Sequence, residues 1–502
     1  MMRRRRGWLA SCLLGLLVWG MLGVVQAADT TEATGVESET AETAQGDSPR
    51  VAPQVSHFVT RHGLTVVVVE EHANPLVVMN VLVGGAGAHD PVERPGEAYM
   101  LGWLLNEGAG AWNSTAFMER LDDHGIRFAA ETGMDLWDVE VTTLERHLDV
   151  AFEMLAASLI RPRFDADAVE RARQDMAATL IQEQEEGAVL ASRALMTGIY
   201  RDHPYGRSLK GQVSSLPLMT SQTLRERHAT WFRGPNMVWV FAGDITPERV
   251  RRLLDRLEGL PEVPPPGVVT PTLALESPAG GTWHHQTLDV PQTNIRMGCV
   301  GITRQDPDYW ALFVLDAILG GAGSYSRLNL AVREQRGLSY SVSSTFLPWM
   351  GRGPLLVALD TRNERLEEAL AVVRHEMRRL LRTPPDSQEL QRFLTYLTGA
   401  FPLMLDELGK LAATWGRIAY YQRGWDYLER WQERIKAVQV ADLQRVATRF
   451  LDPERFTVST VGPRAPDRKR IAALEQDLER AAAQVQSSLG ASAFDSVTPR
   501  HH

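Results

Sequence analysis

The sequence predicts an α+β protein made of two homologous domains, each a mainly antiparallel sheet with helices packed on it. With 502 residues, the chain is too long for one ordinary hydrophobic core. Strand-like runs open and close two blocks of sequence, and helical spacing dominates between them, which is the grouping typical of α+β proteins. The two blocks also carry similar short motifs in the same order, which indicates a duplicated domain.

The N-terminal segment, residues 1–27, is predicted to be an export signal. Four arginines at positions 3–6 precede an apolar run at 8–25, and Ala27 closes a small-residue cleavage site. An uncleaved membrane anchor is the alternative, because an apolar run of this length can just span a bilayer. Cys12 lies inside the signal and Cys299 is the only other cysteine, so no internal disulfide is expected. Export without disulfides favours the bacterial periplasm.

Composition narrows the classes of partner. The formal net charge is -9, and it becomes -13 without the four signal arginines, since 49 basic residues then face 62 acidic ones. This acidic balance, without a basic stripe, disfavours nucleic acid as a partner. Residues 28–54, rich in Thr, Glu, Ser, Ala and Gly, are predicted to be a disordered tether. No segment beyond the signal is apolar and long enough to cross a membrane.

Two blocks, residues 55–259 and 282–465, flank a proline-rich linker at 260–281. Each block opens with two strand-like runs and closes with a third, which lie at 64–69, 76–83 and 237–242 in the first block and at 287–290, 295–300 and 455–461 in the second. The final segment, 466–502, is predicted to be a helix over 471–485 followed by a disordered tail.

Helix signals are clear inside both blocks. Asp165 precedes a stretch whose apolar residues recur at helical spacing, namely Val169, Ala172, Met176 and Leu180. Asp386, with Glu389 three residues later, begins another helix in a capping-box-like arrangement.

The motifs of the first block recur in the second at offsets of 213 to 218 residues. Asp90-Pro91 returns as Asp306-Pro307, and Gly-Ala-Gly at 108–110 returns at 321–323. Ala-Thr-x-Phe-x-x-Pro at 229–235 returns at 447–453. Each match alone is weak, but several in one order indicate that one domain was duplicated.

Several of these segments resemble the insulinase (pitrilysin) family of zinc metallopeptidases, over roughly residues 55–463. The segments are Gly-Gly-Ala-Gly-Ala-His-Asp-Pro at 84–91, Ile-Arg-Pro-Arg-Phe at 160–164, Val-Glu-Arg-Ala-Arg-Gln at 169–174, His-Pro-Tyr-Gly-Arg at 203–207, Gly-Gly-Ala-Gly at 320–323 and Arg-Glu-Gln-Arg-Gly-Leu-Ser-Tyr at 333–340. The resemblance implies two α+β halves that form a clamshell around a peptide chamber.

The resemblance breaks at the zinc site. Active members carry His-x-x-Glu-His on a helix, where two histidines hold zinc and the glutamate deprotonates its water, and a further glutamate binds the metal from a later helix. Here the pentad aligns with residues 99–103, which places Tyr99, Gly102 and Trp103 at those positions, and the distal glutamate aligns with Ala178 or Thr179. We therefore expect no metal, no cofactor and no catalytic residue in this chain. Tyr99 and Trp103 are predicted to fill the space of the zinc and its water.

No other constellation replaces the lost site. No two histidines stand four residues apart on a helix beside an acid, and no Gly-x-Ser-x-Gly nucleophile elbow occurs. Cys299 lies in an apolar strand, where a lone cysteine is usually inert.

The second block contains the substrate-binding residues that the resemblance to the family predicts for it. In the family, an Arg and a Tyr seven residues apart face the zinc site across the chamber and hold the substrate backbone. Arg333 and Tyr340 match that pair, and Gly320, Gly321 and Gly323 match a nearby glycine loop. Both side chains are hydrogen-bond donors that need no change of protonation. The alternative is that Arg333 makes a surface ion pair and Tyr340 fills a strand position.

These features lead to one functional hypothesis and two rivals. The chain is predicted to be a non-catalytic, peptide-binding subunit of a heterodimeric metallopeptidase, inactive alone, whose zinc-bearing homologous partner cleaves peptides or unfolded proteins. The alternative is a stand-alone peptide-binding or chaperone-like clamp without proteolysis. An active hydrolase with an unrecognised site is the third reading.

Overall fold

The computed structural model describes residues 55–262 and 281–494, with side chains described up to residue 484. The predicted signal (1–27), the predicted tether (28–54) and nearly all of the predicted linker (260–281) lie outside the described residues, as does the end of the tail. Within residues 55–262 and 281–494, no helix combines the length and the apolar character that a membrane crossing requires. We call residues 55–262 the first half and residues 281–494 the second half.

Two large sheets and one small hairpin make up the β-structure. The strands of the first half are β1 (Val55–Val59), β2 (Thr65–Glu70), β3 (Leu76–Gly84), β4 (Gly108–Ala109), β5 (Trp112–Asn113), β6 (Arg127–Thr132), β7 (Leu136–Leu144) and β8 (Met237–Gly243). The strands of the second half are β9 (Trp283–Thr287), β10 (Gln292–Val300), β11 (Val342–Phe346), β12 (Pro354–Arg362) and β13 (Thr457–Gly462).

The two large sheets have the same topology. The first has the order β1-β2-β8-β3-β7-β6 and the second has the order β11-β12-β10-β13-β9. Apart from the extra edge strand β1, reading the second sheet backwards reproduces the first. Neighbouring strands are antiparallel except for β2 with β8 and its counterpart β9 with β13. The predicted fold class is therefore confirmed: an α+β protein of two homologous halves, each built on a mainly antiparallel sheet.

Helices account for most of the remaining chain. Those of the first half are α1 (Glu97–Leu104), α2 (Ser114–Asp123), α3 (Leu148–Ile160), α4 (Ala166–Gln182), α5 (Gly187–Tyr200), α6 (Ser221–Trp231) and α7 (Pro247–Leu254). Those of the second half are α8 (Tyr309–Asp316), α9 (Leu366–Arg382), α10 (Ser387–Ala400), α11 (Leu408–Tyr420), α12 (Trp431–Lys436), α13 (Val440–Phe450) and α14 (Arg468–Phe494). Two segments of the second half are π-helical, Ala317–Gly321 and Asn329–Glu334.

The helix signals read from the sequence are confirmed. Helix α4 buries the four residues predicted to share its apolar face, Val169, Ala172, Met176 and Leu180. The Asp386 carboxylate caps α10 by accepting a hydrogen bond from the backbone N–H of Glu389 at 2.7 Å.

Two element boundaries differ from the prediction. The strand expected at 287–290 runs instead over Trp283–Thr287, because β9 is an edge strand that pairs only with β13 and so tolerates the polar run His284-His285-Gln286. Helix α14 continues to Phe494, past the predicted end at 485, because its first turns are anchored on α9 and helical bonds propagate from a formed nucleus.

The halves exchange equivalent helices across their interface. Helix α5 of the first half packs on β10 and β13 of the second sheet, and α11 of the second half packs on β2, β3 and β8 of the first sheet. Consequently Val67 and Val240 of the first sheet share one apolar core with Leu411 and Trp415 of α11. Each half thus supplies the helix that covers one face of the other half's sheet.

A buried carboxylate joins the halves beside these helices. Asp135, on the turn between β6 and β7, accepts hydrogen bonds from the hydroxyls of Tyr205 at 2.7 Å and Tyr421 at 3.1 Å. The backbone N–H of Met350 donates to the same carboxylate at 2.6 Å. Because Tyr421 and Met350 belong to the second half, this single side chain connects both halves.

Candidate functional site

Helix α1, which carries the degenerate pentad, has a firmly fixed N-terminus. The Asp90 carboxylate accepts hydrogen bonds from the backbone N–H groups of Gly96 at 2.7 Å and Ala98 at 2.9 Å. The buried Arg227 guanidinium lies 3.1 Å from the same carboxylate. Burial raises the pKa of Asp90 to about 6, although Arg227 and the two N–H groups act in the opposite direction. These contacts fix the N-terminus of α1, the helix on which Tyr99 and Trp103 lie.

The residues expected at the zinc site gather around one small cavity. Tyr99 and Trp103, four residues apart on one face of α1, line a cavity of about 40 Å³ together with Thr179 of α4. Of the two positions considered for the distal ligand, Thr179 lies at this cavity and Ala178 does not. Gly102 does not line it either, because the helix directs this position towards Thr132 and Trp137.

The residues around this cavity do not fit zinc. Two aromatic rings, a hydroxyl, the Met176 side chain and the carboxylate of Asp175 offer no set of three or four nitrogen, sulfur or carboxylate ligands. Lys210 adds an ammonium group at the rim, 5.9 Å from the centre of the Tyr99 ring and 2.5 Å from the Glu183 carboxylate. Lys210 is thus paired with an acid, and its ammonium group, which carries no lone pair, cannot serve as a metal ligand.

The pattern search on the sequence missed Lys210 and Asp175. Lys210 lies 31 residues beyond Thr179, since 210 − 179 = 31, and no spacing rule connects it to the pentad. In the part of the chain that the structure describes, no group of three His, Cys, Asp or Glu side chains could hold a metal ion. Cys299 is buried, and burial raises the pKa of its thiol to about 12, which leaves it in the unreactive thiol form.

Arg333 and Tyr340 lie together on the surface of the second half. The Arg333 guanidinium carbon is 4.9 Å from the centre of the Tyr340 ring, within the range of a cation–π contact. The Tyr340 side chain is 79% exposed. Arg333 makes only a 3.4 Å ion pair with its neighbour Glu334 and keeps 39% of its side chain exposed. Both donors remain accessible to a ligand.

The three glycines of the second half serve different purposes. A Cβ atom on Gly320 would lie 2.4 Å from the Ser344 nitrogen, and one on Gly321 would lie 2.8 Å from a carboxylate oxygen of Asp316. Gly323 has a positive φ of 60° and open space around it, so only its backbone conformation requires glycine. We call residues 317–323 the glycine turn; its first five residues are π-helical, a conformation frequent at functional sites.

Polar contacts connect the glycine turn with the segments that carry Arg333 and Tyr340. The Ser344 hydroxyl of β11 donates to the Asp316 carboxylate at 2.6 Å. The Asn329 side chain, at the start of the second π-helical segment, donates to Ser326 Oγ and to the Val342 carbonyl, both at 3.0 Å. Neither Asp316 nor Asn329 could be found from the sequence, because neither belongs to a motif with a known spacing.

A larger cavity of about 800 Å³ opens on the first half, away from both sets of predicted residues. Its lining includes Glu107, Arg163, Asp165, Asp167 and Arg171. Its charged groups pair with one another, since Arg171 contacts Asp167 at 2.8 Å and Glu107 at 3.0 Å, and Arg163 contacts Asp165 at 2.6 Å. Each of these five charged side chains therefore already has a partner of opposite charge.

Comparisons with known proteins agree with this architecture. Residues 65–213 match a family model described as insulinase (peptidase family M16), and residues 219–397 match one described as peptidase M16 inactive domain. An uncharacterized zinc protease of Mycobacterium bovis is 25% identical over 393 residues, 78% of this chain and 89% of that protein. The non-peptidase homolog YmxG of Helicobacter pylori is 25% identical over 345 residues, 66% of this chain and 77% of that protein. A probable mitochondrial-processing peptidase subunit beta of Schizosaccharomyces pombe is 25% identical over 432 residues, 82% and 92% of the two chains.

A crystal structure described as a peptidase M16 inactive domain from Pseudomonas fluorescens superposes with a TM-score of 0.75 at 26% identity, covering 82% of this chain and 99% of that one. Relatives named as proteases and relatives named as non-peptidases are equally similar, so the residues of this chain decide between them. The two family models together cover about two thirds of the sequence. The chain therefore belongs to the insulinase (M16) family.

Proposed function

We propose that this chain is the non-catalytic subunit of a heterodimeric insulinase-type peptidase. It would bind peptides through Arg333, Tyr340 and the glycine turn, and a zinc-bearing homologue would cleave them. The zinc would belong to that partner, and the substrate would be a peptide or an unfolded protein.

One observation carries the proposal: the metal position of the first half has no ligands, whereas the Arg–Tyr pair of the second half is present and accessible. Around the former metal position, Tyr99, Trp103 and Thr179 leave only about 40 Å³ and no ligand set. On the second half, Arg333 and Tyr340 stay 4.9 Å apart and accessible. The first half thus offers no ligand set for a metal, whereas the second half keeps two accessible hydrogen-bond donors for a peptide.

A guanidinium and a phenol suit peptide binding chemically. Both donate hydrogen bonds to carbonyl oxygens and keep their protonation state at neutral pH. In a partner's active site, the same donors would stabilise the negative charge that develops on the carbonyl oxygen during hydrolysis. The yeast relative named as a peptidase subunit supports a role within a complex.

The test reconstitutes the pair. The chain without residues 1–27 is purified alone and with a zinc-bearing homologue from the same genome, and cleavage of a quenched fluorescent unfolded peptide is measured. We expect no zinc and no activity in the chain alone, co-elution of the two chains, and higher kcat/KM for the pair than for the homologue. Arg333→Ala should lower kcat/KM of the pair by about 10-fold or more, since it removes a donor to the transition state.

Arg480→Ala is the matched control, because Arg480 is exposed and also pairs with an acid on its own helix, Asp477. Its pair should retain wild-type activity. Equal activity of the homologue with and without this chain would contradict the proposal; peptide binding by the chain alone would then favour the chaperone-like clamp. Stoichiometric zinc and chelator-sensitive cleavage in the chain alone would show that the assignment of Tyr99 and Trp103 is wrong.

We also propose that the protein is exported and works in the periplasm, on the grounds of the N-terminal arginines, the apolar run and the single cysteine, Cys299, that is left once residues 1–27 are removed. Fractionation of the native organism tests this. Recovery of a full-length chain in the membrane fraction would favour the uncleaved anchor instead.

A further inference from the structure

The end of helix α8 holds an acid that neither the zinc site nor the Arg–Tyr pair accounts for. Asp316 is the last residue of α8, directly before the glycine turn. One carboxylate oxygen accepts the Ser344 hydroxyl at 2.6 Å, and the other faces Gly321, where a Cβ atom would be only 2.8 Å away. The acid therefore lies between the turn and strand β11.

Ser344 also defines how closely the turn approaches β11. A Cβ atom on Gly320 would meet the Ser344 nitrogen at 2.4 Å, so the turn packs directly on the strand backbone. Strand β11 begins two residues after Tyr340, and the Val342 carbonyl accepts the Asn329 side chain from the π-helical segment that carries Arg333. A shift between the turn and β11 would therefore reach both Arg333 and Tyr340.

The duplication gives Asp316 a counterpart at the former metal site. Gly-Ala-Gly recurs at an offset of 213 residues, since 321 − 108 = 213, and at the same offset Asp316 corresponds to Trp103, since 316 − 103 = 213. In the first half this position closes the metal cavity with an aromatic ring. In the second half it holds an acid that ties the adjacent turn to a strand.

We propose that Asp316 is a positioning residue for the peptide site, because its bond to Ser344 holds the glycine turn against β11 and so fixes Arg333 and Tyr340. The inference rests on the proposed peptide-binding function and adds a residue that does not touch the peptide. It also predicts that the site loosens when the carboxyl loses its proton, since an ionised carboxylate favours water over this partly buried position.

The surroundings of Asp316 support a response in the neutral range. Burial raises its pKa to about 7, with the Ser344 hydroxyl acting in the opposite direction. The glycine turn and β11 contain no other ionisable side chain. On the helices that also pack on the turn, Glu376 of α9 lies 3.2 Å from Arg379, and Glu389 of α10 lies 2.6 Å from Arg327. These acids are already paired with arginines.

Backbone amide exchange tests the positioning directly and does not require a peptide. Hydrogen–deuterium exchange of residues 317–334 is measured at pH 6 and pH 8.5, corrected for intrinsic rates, in the wild type and in Asp316→Ala, Asp316→Asn and Ser344→Ala. We expect Ala at either position to speed exchange of this segment by about 5-fold, the equivalent of one net hydrogen bond. Asp316→Asn keeps an acceptor oxygen and should exchange slowly at both pH values, whereas the wild type should loosen at pH 8.5.

Binding of a rhodamine-labelled unfolded peptide with blocked termini and no histidine is then measured by anisotropy. Ser344→Ala should weaken binding by about 5-fold, and the wild type, unlike Asp316→Asn, should bind less tightly at pH 8.5 than at pH 6. Ser114→Ala is the control, because it also removes a 2.6 Å bond from a serine to a carboxylate, that of Glu107 in the first half.

The outcomes separate this inference from the proposed function. Unchanged amide exchange in both Ser344→Ala and Asp316→Ala overturns the positioning role, whatever the measured peptide affinity is. Faster exchange in a chain that binds no peptide contradicts the proposed function while the positioning role stands. Faster exchange with unchanged peptide affinity overturns the link between the turn and the Arg–Tyr pair.

Discussion

The buried carboxylate of Asp135 should be among the most sensitive positions of the chain. It accepts hydrogen bonds from Tyr205, Tyr421 and the backbone of Met350, and two of these donors come from the second half. Asp135→Ala removes the acceptor and leaves three buried donors without it. Asp135→Asn keeps one oxygen of similar shape but turns an amide towards the remaining donors.

The size of the effect follows from these three donors. Each buried donor that loses its partner costs about 1–3 kcal/mol, and part of this cost is offset because a carboxyl no longer has to be buried. We therefore expect Asp135→Ala to lower the free energy of unfolding by about 3–6 kcal/mol and Asp135→Asn by about 1–3 kcal/mol. The larger value is a substantial part of the stability of an ordinary domain, which is about 5–15 kcal/mol.

Urea unfolding followed by tryptophan fluorescence measures this loss, with Asp167→Ala as a control that removes only an exposed ion pair with Arg171. Burial raises the pKa of Asp135, so the native state binds a proton at this acid more tightly than the unfolded state does. Stability from this group is therefore present at low pH and declines as pH rises towards the native pKa. The gap between wild type and Asp135→Asn should accordingly narrow from pH 5 to pH 8. A loss below about 1 kcal/mol in Asp135→Ala would refute the assignment of this residue as the joint between the halves.

Three further predictions concern two aspartates, the zinc-ligand positions and Cys299. The pKa values of Asp90 and Asp316 are raised to about 6 and about 7. The stability of the wild type relative to Asp90→Asn or Asp316→Asn should therefore fall as pH rises from about 4 through those values. Urea unfolding midpoints measured across this pH range check the prediction. Restoring His-x-x-Glu-His and the distal glutamate should not restore zinc binding, because a Cβ atom at Gly102 would lie 2.2 Å from the Thr132 hydroxyl oxygen. Metal analysis of the dialysed variant checks this prediction, and stoichiometric zinc would contradict it. Cys299 should react with a thiol reagent only after unfolding, given its burial and a pKa of about 12; rapid labelling of the native chain would show that the strand opens.

Much of the fold could be predicted because the same strand runs and motifs occur in both halves, so each half supports the assignment made in the other. Strand runs such as 76–83 and 295–300 are apolar and bounded by turn residues, and both are central strands. The edge strand β9 was misplaced, because an edge strand can be polar and lacks that signal. The exchange of α5 and α11 could not be predicted either, since the spacing of apolar residues shows that a helix has a buried face and not which sheet that face covers.

Some residues of the candidate site could likewise be predicted from the sequence, and others could not. Tyr99 and Trp103 could be placed together because a family motif gives their spacing, and Arg333 could be paired with Tyr340 for the same reason. The third position stayed open between Ala178 and Thr179, and only the structure places Thr179 at the cavity. Lys210 and Asp316 could not be found, because their roles depend on contacts made by loops and turns that are distant in sequence. Motif spacing locates residues on one element or in one family pattern, whereas the neighbours that tune them are set by tertiary packing.

Because each half covers the sheet of the other with a helix, packing contacts hold the two halves together without the covalent connection between them. Each sheet would lose the cover of one face if its partner half were absent, so neither half should fold alone as a soluble unit. A cut anywhere in residues 263–280 should nevertheless leave an intact assembly, because the contacts of α5 with the second sheet and of α11 with the first sheet remain. The two halves, expressed as separate chains in one cell, should find each other and associate. Such a pair would resemble a two-chain precursor from before the duplicated sequences were joined in one gene.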